Sequence, residues 1–452
     1  MVDTIYAPAT APGRSGVAVV RVSGPQAKDS LSALAVFAHD PTTKATTPKP
    51  RHAALRTLKN PATGVTIDHA LVLYFAGPSS FTGEDVVEYH LHGGPAVMRM
   101  MLAALSAQPN HRMAEPGEFT RRGFENGKMD LTGAEAIADL INAETEMQQA
   151  QALSQMAGSL ASLYEGWAHQ LSRSLAHLEA DIDFPDEDLP GGVADQVYPV
   201  LESLKYDIDQ HLNDKRRGEI LRDGVQIAII GAPNAGKSSL INALAQRDVA
   251  IVSEHAGTTR DVIEVHLNLG GYPIILADTA GLRPDQLGDD PHGKIEGEGI
   301  RRALERAQRA DLKLLVFDAT ALPAMDPHTK ALIDAQSIVV MNKSDRAVHR
   351  VDGLAVSALT GLGLETLLAE IVTQVEFLIG RREAPSLTRQ RHRLALQDCS
   401  ASLGRALLAE HFAPELMAED VRLSMRALGR ITGRVDVEDL LDIIFCDFCI
   451  GK

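Results

Sequence analysis

An apolar run, VQIAII at 225–230, leads without a break into GAPNAGKSS at 231–239 and then into LINAL, the start of an apolar helix. This is G-x-x-x-x-G-K-[ST] in the setting that gives the pattern meaning, between a buried strand and a helix. The glycines let backbone N–H groups approach phosphate closely, and the helix N-terminus adds positive potential. Lys237 is expected to reach the terminal phosphates and Ser238 to ligate Mg²⁺, with Asn234, Ala235, Gly236 and Ser239 forming the rest of the cradle. Such a loop needs a sheet whose strands end at one edge. PIILAD, LKLLVFD and SIVVMN supply it, because short apolar strands alternating with helices indicate a doubly wound, mostly parallel sheet.

The base is chosen by NKSD at 342–345, which follows SIVVM at the carboxyl edge where ligands bind in such sheets. As a carboxylate, Asp345 accepts from the ring N–H and exocyclic amine of guanine; adenine lacks both donors there, so the expected nucleotide is GTP. Asn342 and Lys343 precede it, and Ser357, Ala358 and Leu359 are placed to back the base. Asp278 of DTAG would hold the Mg²⁺ shell, with Thr279 and Ala280 leading to Gly281 at the γ-phosphate. In AGTTRD, Ala256, Gly257 and Thr258 lead to Thr259, a second hydroxyl for Mg²⁺. Ras-like proteins place a water-orienting Gln directly after DxxG; Leu282 stands there instead, so the attacking water must be positioned in another way. No arginine finger is evident, although Arg283 and Arg301 lie nearby.

Around this block the texture changes twice. The first ~125 residues alternate strand-like runs (GVAVVRVSG at 16–24, HALVLYFAG at 69–77, VVEYHLH at 86–92) with Gly/Pro punctuation and one helical run, PAVMRMMLAALSA at 95–107. From Asp130 the chain reads as helical. Thr132-x-x-Glu135 and Thr145-x-x-Gln148 both have the capping-box form, and apolar residues from Leu153 and Met156 through Ile182 make one stripe on a long helix. Helices resume after Arg381. The expected fold is an α/β GTPase domain with a doubly wound sheet, inserted in an all-α domain and preceded by an N-terminal mixed α/β domain. Its boundaries are 1–120, 121–223, 224–376 and 377–452.

Charge limits the partners. With 44 basic and 60 acidic residues the net charge is −16, so no chain-wide cationic field draws nucleic acid, and RNA binding would need a local patch or a partner. No apolar run approaches the roughly 18 residues of a membrane span, and the N-terminus lacks a signal pattern. Three cysteines, all within the last 54 residues, build no disulfide framework, so a reducing cytoplasm is expected. Cys446 and Cys449 form CDFC. Zinc would need two more ligands, and Cys399 and His392 are wrongly spaced for a compact finger. His90 and His92 alternate with Glu88 on one strand face, where polar packing is expected over metal. RQRHR at 389–393 is expected to be a solvated face that only weakly suggests RNA contact.

With GRSGVAVVRVSG, FTGEDVVE, GEFTRRGFENGKMDL and the terminal CIGK added to the GTPase motifs, the chain resembles the MnmE (TrmE) family, the GTPases of tRNA wobble-uridine modification, from residue 4 to its end. The resemblance implies an N-terminal folate-binding and dimerising domain. It also implies a homodimer that joins an FAD-dependent partner, MnmG (GidA), in a heterotetramer or larger complex acting on tRNA. The cofactors implied are Mg²⁺, K⁺ and formyl- or methylene-tetrahydrofolate. Carried over residue by residue, the folate contacts fall on Arg21, Glu84, Lys128 and Lys452, types that suit the carboxylates and pterin of a folate. The potassium site falls on Asn234, Ser253, His255 and Thr258, within a nucleotide loop that includes Glu254. The water-orienting role falls on Glu296, with Glu298 a rival because 282–294 looks longer than the family pattern, and the functional thiol on Cys449. Gly123 and Glu125 depart from the usual Ala and Leu. A ribosome-assembly GTPase of the Era or EngA kind would share GxPNxGKS and NKxD, but it would carry a KH-type RNA module, and no GXXG loop is seen in a suitable βα setting. A scaffold that binds GTP without turnover is a third reading, which the folate-like motifs and CIGK oppose.

Overall fold

The computed structural model describes residues 3–37, 47–183, 193–247, 250–251, 264–278, 309–349, 353–380, 385–408, 414–435, 438–446, 448 and 450–451. The chain forms two compact units, Met1–Ala138 with Arg426–Lys452, and Asp139–Met425.

In the first unit seven strands make one sheet: β1 (Thr4–Pro8), β2 (Ser15–Ser23), β3 (Ala35–Phe37), β4 (Ala54–Lys59), β5 (Thr66–Phe75), β6 (Val86–Gly93) and β7 (His111–Met113). Their order is β3-β4-β5-β6-β2-β1-β7, antiparallel except for the β1–β7 pair. Alternation along β5 buries Ile67, Ala70, Val72 and Tyr74, and the helices Ala27–Leu34 and Pro95–Ser106 complete that core with Leu31, Leu34, Met101 and Leu105. A smaller core joins Leu131 and Ala134 to Leu441, Phe445 and Phe448, so the helix Glu438–Cys446 packs against the helix Leu131–Asn142.

The second unit holds the other sheet: β8 (Val225–Ile230), β9 (Ala250–Ile251), β10 (Glu264–Leu269), β11 (Tyr272–Asp278), β12 (Leu312–Asp318), β13 (Ser337–Asn342) and β14 (Leu354–Ala355). The order is β14-β13-β12-β8-β11-β10-β9; β14 through β11 are parallel, and β10 runs antiparallel to both its neighbours. One face carries the core of Ile227, Ile229, Leu240, Leu314, Val340 and Leu367, and the other that of Ala228, Ile230, Leu315, Phe317 and Met341. Both faces are covered, which is why these strands read as continuous apolar runs. Because the chain leaves β8 for β11 on one side and then crosses to β12 on the other, the crevice at the end of β8 is where a ligand fits.

Three helical expectations are corrected. The stripe from Leu153 to Ile182 is two helices, Glu146–Met156 and Ser159–Asp183, broken at Gly158 (φ 86°). Leu153 and Met156 are correspondingly exposed, at 42% and 47%, and lie off the buried stripe. The helix Leu131–Asn142 is capped not by Thr132 but by Asp130, whose Oδ1 accepts from the Gly133 N–H at 2.8 Å and whose carboxylate also accepts from the Thr132 hydroxyl. RQRHR is no solvated face. Arg393 pairs with Asp214 at 2.6 Å and Glu219 at 2.9 Å, Arg389 pairs with Asp139 at 2.7 Å, and His392 is fully buried. The Thr145–Gln148 capping box forms as expected, and the Met147 N–H at its helix start donates to the Gly271 carbonyl in the β10–β11 turn.

Candidate active site

The loop between β8 and the helix Lys237–Ala245 turns through two left-handed residues, Asn234 (φ 64°) and Gly236 (φ 92°). At Gly236 the conformation and the space agree on glycine, since a Cβ there would lie 2.2 Å from Asn342 Nδ2. Lys237 is 8% exposed and donates to the carbonyls of Gly231 at 2.9 Å and Ala232 at 3.0 Å, so its ammonium lies over the loop itself. Ser238 and Ser239 are exposed on the first turn of that helix.

The second element enters from β13. Asn342, 2% exposed, donates to the Ala235 carbonyl at 2.9 Å and accepts from the Ala358 N–H at 3.1 Å. One side chain therefore links NKSD to the GAPNAGKSS loop and to the SAL segment, as only a group with both donor and acceptor can. Ser357 is fully buried and Leu359 is 76% exposed. Asp345 lies in the short 3₁₀ turn Ser344–Arg346, with Arg346 Nε 3.7 Å from its carboxylate. Lys343 (φ 60°) donates to the Asn234 carbonyl and to Asp318, both at 2.7 Å.

Asp318 is a residue that motif reading misses. Burial opposes its ionisation, but hydrogen bonds from Lys343 and Thr320 outweigh that and hold the carboxyl below its ordinary 3.8. The available signal was positional: Asp318 ends LKLLVFD and lies in register with Asn342 on the neighbouring strand. Asp278 ends β11 in register with Ile229 of β8. Ser253, Glu254, His255, Ala256, Gly257, Thr258, Thr259, Thr279, Ala280, Gly281, Leu282, Arg283, Glu296, Glu298 and Arg301 lie outside the described residues.

In the first unit Arg21, Glu84 and Lys128 come together around the loop 78–84. Arg21 pairs with Glu88 at 2.9 Å, its guanidinium 5.7 Å from the ring centroids of both Phe81 and Phe119. Glu84 accepts from the Ser23 hydroxyl at 2.7 Å and from Arg122 at 3.2 Å, and Lys128 donates to the Pro78 carbonyl at 2.8 Å. Arg122, which the motifs also left unassigned, is 8% exposed and in addition reaches Asp3 and Glu118. Burial raises the carboxyl of Glu118, yet hydrogen bonds from Arg112, the Glu115 N–H and Arg122 bring it below 4.5. Cys449 and Lys452 lie outside the described residues, but Ile450 bridges to Pro116 and Gly451 lies against the Pro8 carbonyl, so the tail runs beside β1.

His92 pairs with Asp68 at 2.8 Å, His90 lies 3.6 Å from Glu88, and no metal-binding cluster occurs among the described residues. Burial pushes the Cys399 thiol up to about 12, which leaves it inert, whereas Cys446 is exposed. No described helix is long and apolar enough to cross a membrane.

A phosphate loop and an NKSD strand end, fastened together on a doubly wound sheet, define a P-loop GTPase. Comparison with known proteins narrows this. The family described as "GTP-binding protein TrmE N-terminus" matches residues 4–128, and "MnmE helical domain" matches 131–449. A "tRNA modification GTPase MnmE" of Parvibaculum lavamentivorans is 53% identical, and one of Paramagnetospirillum magneticum 51%, each over the whole of both chains. The "5-taurinomethyluridine-[tRNA] synthase subunit GTPB3, mitochondrial" of Danio rerio is 46% identical, over all of this chain and 93% of that one. The chain belongs to the MnmE family and is a GTP hydrolase.

Proposed function

We propose that this chain couples GTP hydrolysis to modification of the wobble uridine of tRNA at carbon 5. The group added is carboxymethylaminomethyl or aminomethyl, and the reaction uses an FAD-dependent partner of the MnmG type and a folate one-carbon unit. One juxtaposition carries the reading: a chain whose full-length relatives are named tRNA modification GTPases has Arg21, Glu84 and Lys128 gathered round one loop, apart in sequence from its nucleotide motifs. Guanidinium and ammonium groups suit the carboxylates of a folate tail, and the Glu84 carboxylate suits the pterin donors. Lys452 would complete that set and Cys449 would act as a functional thiol. We read the chain as folate-binding over 1–120, helical over 121–223 and 377–452, and GTP-binding over 224–376.

At the nucleotide, the cradle of Asn234–Ser239 and Lys237 takes the phosphates, Asp345 the guanine, and Ser238 and Thr259 the Mg²⁺, which neutralises phosphate charge when bound. An arginine finger is worth roughly 10³–10⁵-fold, and the sequence shows no obvious one, although Arg283 and Arg301 lie near DTAG. Asn234, Ser253, His255 and Thr258 would hold a K⁺ ion, which would supply that positive charge when two GTPase domains of a homodimer meet, and Glu296 would orient the water.

Hydrolysis measured in matched potassium and sodium chloride tests the GTPase half: fast turnover is expected only for wild type in potassium, and not for Asn234→Ala or Glu296→Ala. Equal rates in the two salts would remove the cation. Mass spectrometry of wobble uridine in tRNA from cells carrying Cys449→Ser tests the other half; fully modified uridine would remove the thiol, with Cys446→Ser as the mild control.

A further inference from the structure

Two non-glycine residues in left-handed backbone conformation are tied together at the carboxyl edge of the sheet. Asn234 (φ 64°) belongs to the phosphate loop and Lys343 (φ 60°) to NKSD, and the Lys343 ammonium donates to the Asn234 carbonyl at 2.7 Å. Such a conformation is uncommon for an L-residue, although least so for Asn, so the contacts made there matter. What holds Asn234 is a flexible four-carbon side chain that, left alone, would sample many rotamers. It is not left alone. The same ammonium donates to Asp318 Oδ2 at 2.7 Å, while Oδ1 accepts from the Thr320 N–H at 2.9 Å and hydroxyl at 2.6 Å. The carboxylate is thus locked by the turn behind it and aims one oxygen at Lys343.

We propose that Asp318 is a positioning residue for nucleotide binding: it fixes the Lys343 ammonium against the Asn234 carbonyl and so keeps the phosphate loop and the guanine-reading turn in one register. This rests on the reading of NKSD and the GAPNAGKSS loop as the GTP site. The chain of contacts runs Thr320–Asp318–Lys343–Asn234 and joins three strand ends, β12, β13 and β8, with no atom of the ligand in it. It also separates the two tasks of Asp318. One oxygen caps the turn Ala319–Ala321, and the other, with the charge, serves Lys343.

Asp318→Asn divides those tasks, because an amide oxygen can still cap Thr320 while the anionic partner of Lys343 is lost. The full-length Asp318→Asn protein is expected to bind GDP and GTP about tenfold more weakly. In steady-state hydrolysis KM should rise by the same factor with kcat within twofold, and Asp318→Glu should recover part of the loss. Lys343→Met is expected to weaken binding further, and Asp318→Asn added to it should cost nothing more, since the carboxylate acts only through the ammonium. Wild-type affinity in Asp318→Asn, or losses that add fully in the double variant, would overturn the proposal. Wild-type affinity in Lys343→Met would instead overturn the reading of NKSD itself. Should Asp318→Asn misfold, as its circular dichroism would reveal, Asp318→Glu alone and in the Lys343→Met background gives the same comparison: a loss that persists without the ammonium overturns the proposal.

Discussion

Asn342 Nδ2 donates to the Ala235 carbonyl at 2.9 Å, so the NKSD strand end and the GAPNAGKSS loop are fastened through a side chain that is 2% exposed. A carboxylate in its place has no donor for that carbonyl and would set two acceptors against each other. Asn342→Asp is therefore expected to cost roughly 1–3 kcal/mol of GTP affinity with secondary structure preserved. Titration with a fluorescent guanine nucleotide measures it, and an unchanged dissociation constant would show that the contact is dispensable.

Gly236→Ala attacks the same junction from the other side. The new methyl group would lie 2.2 Å from Asn342 Nδ2 on a residue at φ 92°. Left-handed alanine alone costs roughly 1–2 kcal/mol, and displacing a buried amide costs about as much again. Nucleotide binding should fall more than tenfold. Near-wild-type binding would mean that the loop relaxes without penalty.

The sequence revealed these motifs and the sheet that carries them because each is a local pattern: a Gly-rich loop after an apolar strand, or a four-residue turn at a strand end. It did not reveal Asp318 or Arg122, whose roles depend on partners 25 and 38 residues away, Lys343 and Glu84. RQRHR shows the opposite failure. Charge counted along the chain suggested a solvated face, yet tertiary packing set Asp214, Glu219 and Asp139 against those arginines. Periodicity likewise runs through Gly158 as if the helix continued, because a 3.6-residue stripe carries no sign of one left-handed residue.

Base choice gives a cleaner test. Asp345→Asn removes an acceptor for guanine's donors and is expected to weaken GTP binding by about 2–4 kcal/mol, with xanthosine triphosphate binding partly restored. Equal GTP affinity in the variant would mean that Asp345 does not read the base.

In the first unit, Arg122 lies between Asp3, Glu84 and Glu118, and the side chains of Arg122 and Glu118 are 9% and 10% exposed. Arg122→Met would remove the cation paired with Glu84, while Arg112 still pairs with Asp3 and Glu118, a change worth roughly 3 kcal/mol. Urea unfolding followed by the fluorescence of the tyrosines of that sheet should show it, together with loss of folate affinity. If stability is unchanged while folate affinity drops, Arg122 acts at the ligand and not in the fold.

His211 gives the second unit a pH dependence of definite sign. Its ring lies edge-on to Trp167, 5.5 Å between centroids, and its Nε2 is 3.3 Å from the Tyr164 hydroxyl. Burial drives its pKa down from 6.5 to about 4, with Asp214 pulling it up and Arg393 and His392 pushing it down. The folded protein therefore refuses a proton that the unfolded chain accepts near pH 6.5. Stability supplied by the neutral ring is complete above that pH, falls as the pH drops from 6.5 toward 4, and changes no further below it. At about 1.4 kcal/mol per unit the full loss is about 3.5 kcal/mol, and about 2 kcal/mol should be gone by pH 5. The chain has a single tryptophan, Trp167, so its fluorescence reports unfolding where the histidine sits. Denaturant unfolding followed through Trp167 at pH 7.5 and pH 5 should show wild type losing about 2 kcal/mol more than His211→Gln, whose amide does not titrate. If both proteins lose the same amount between the two pH values, His211 is not the group that refuses the proton.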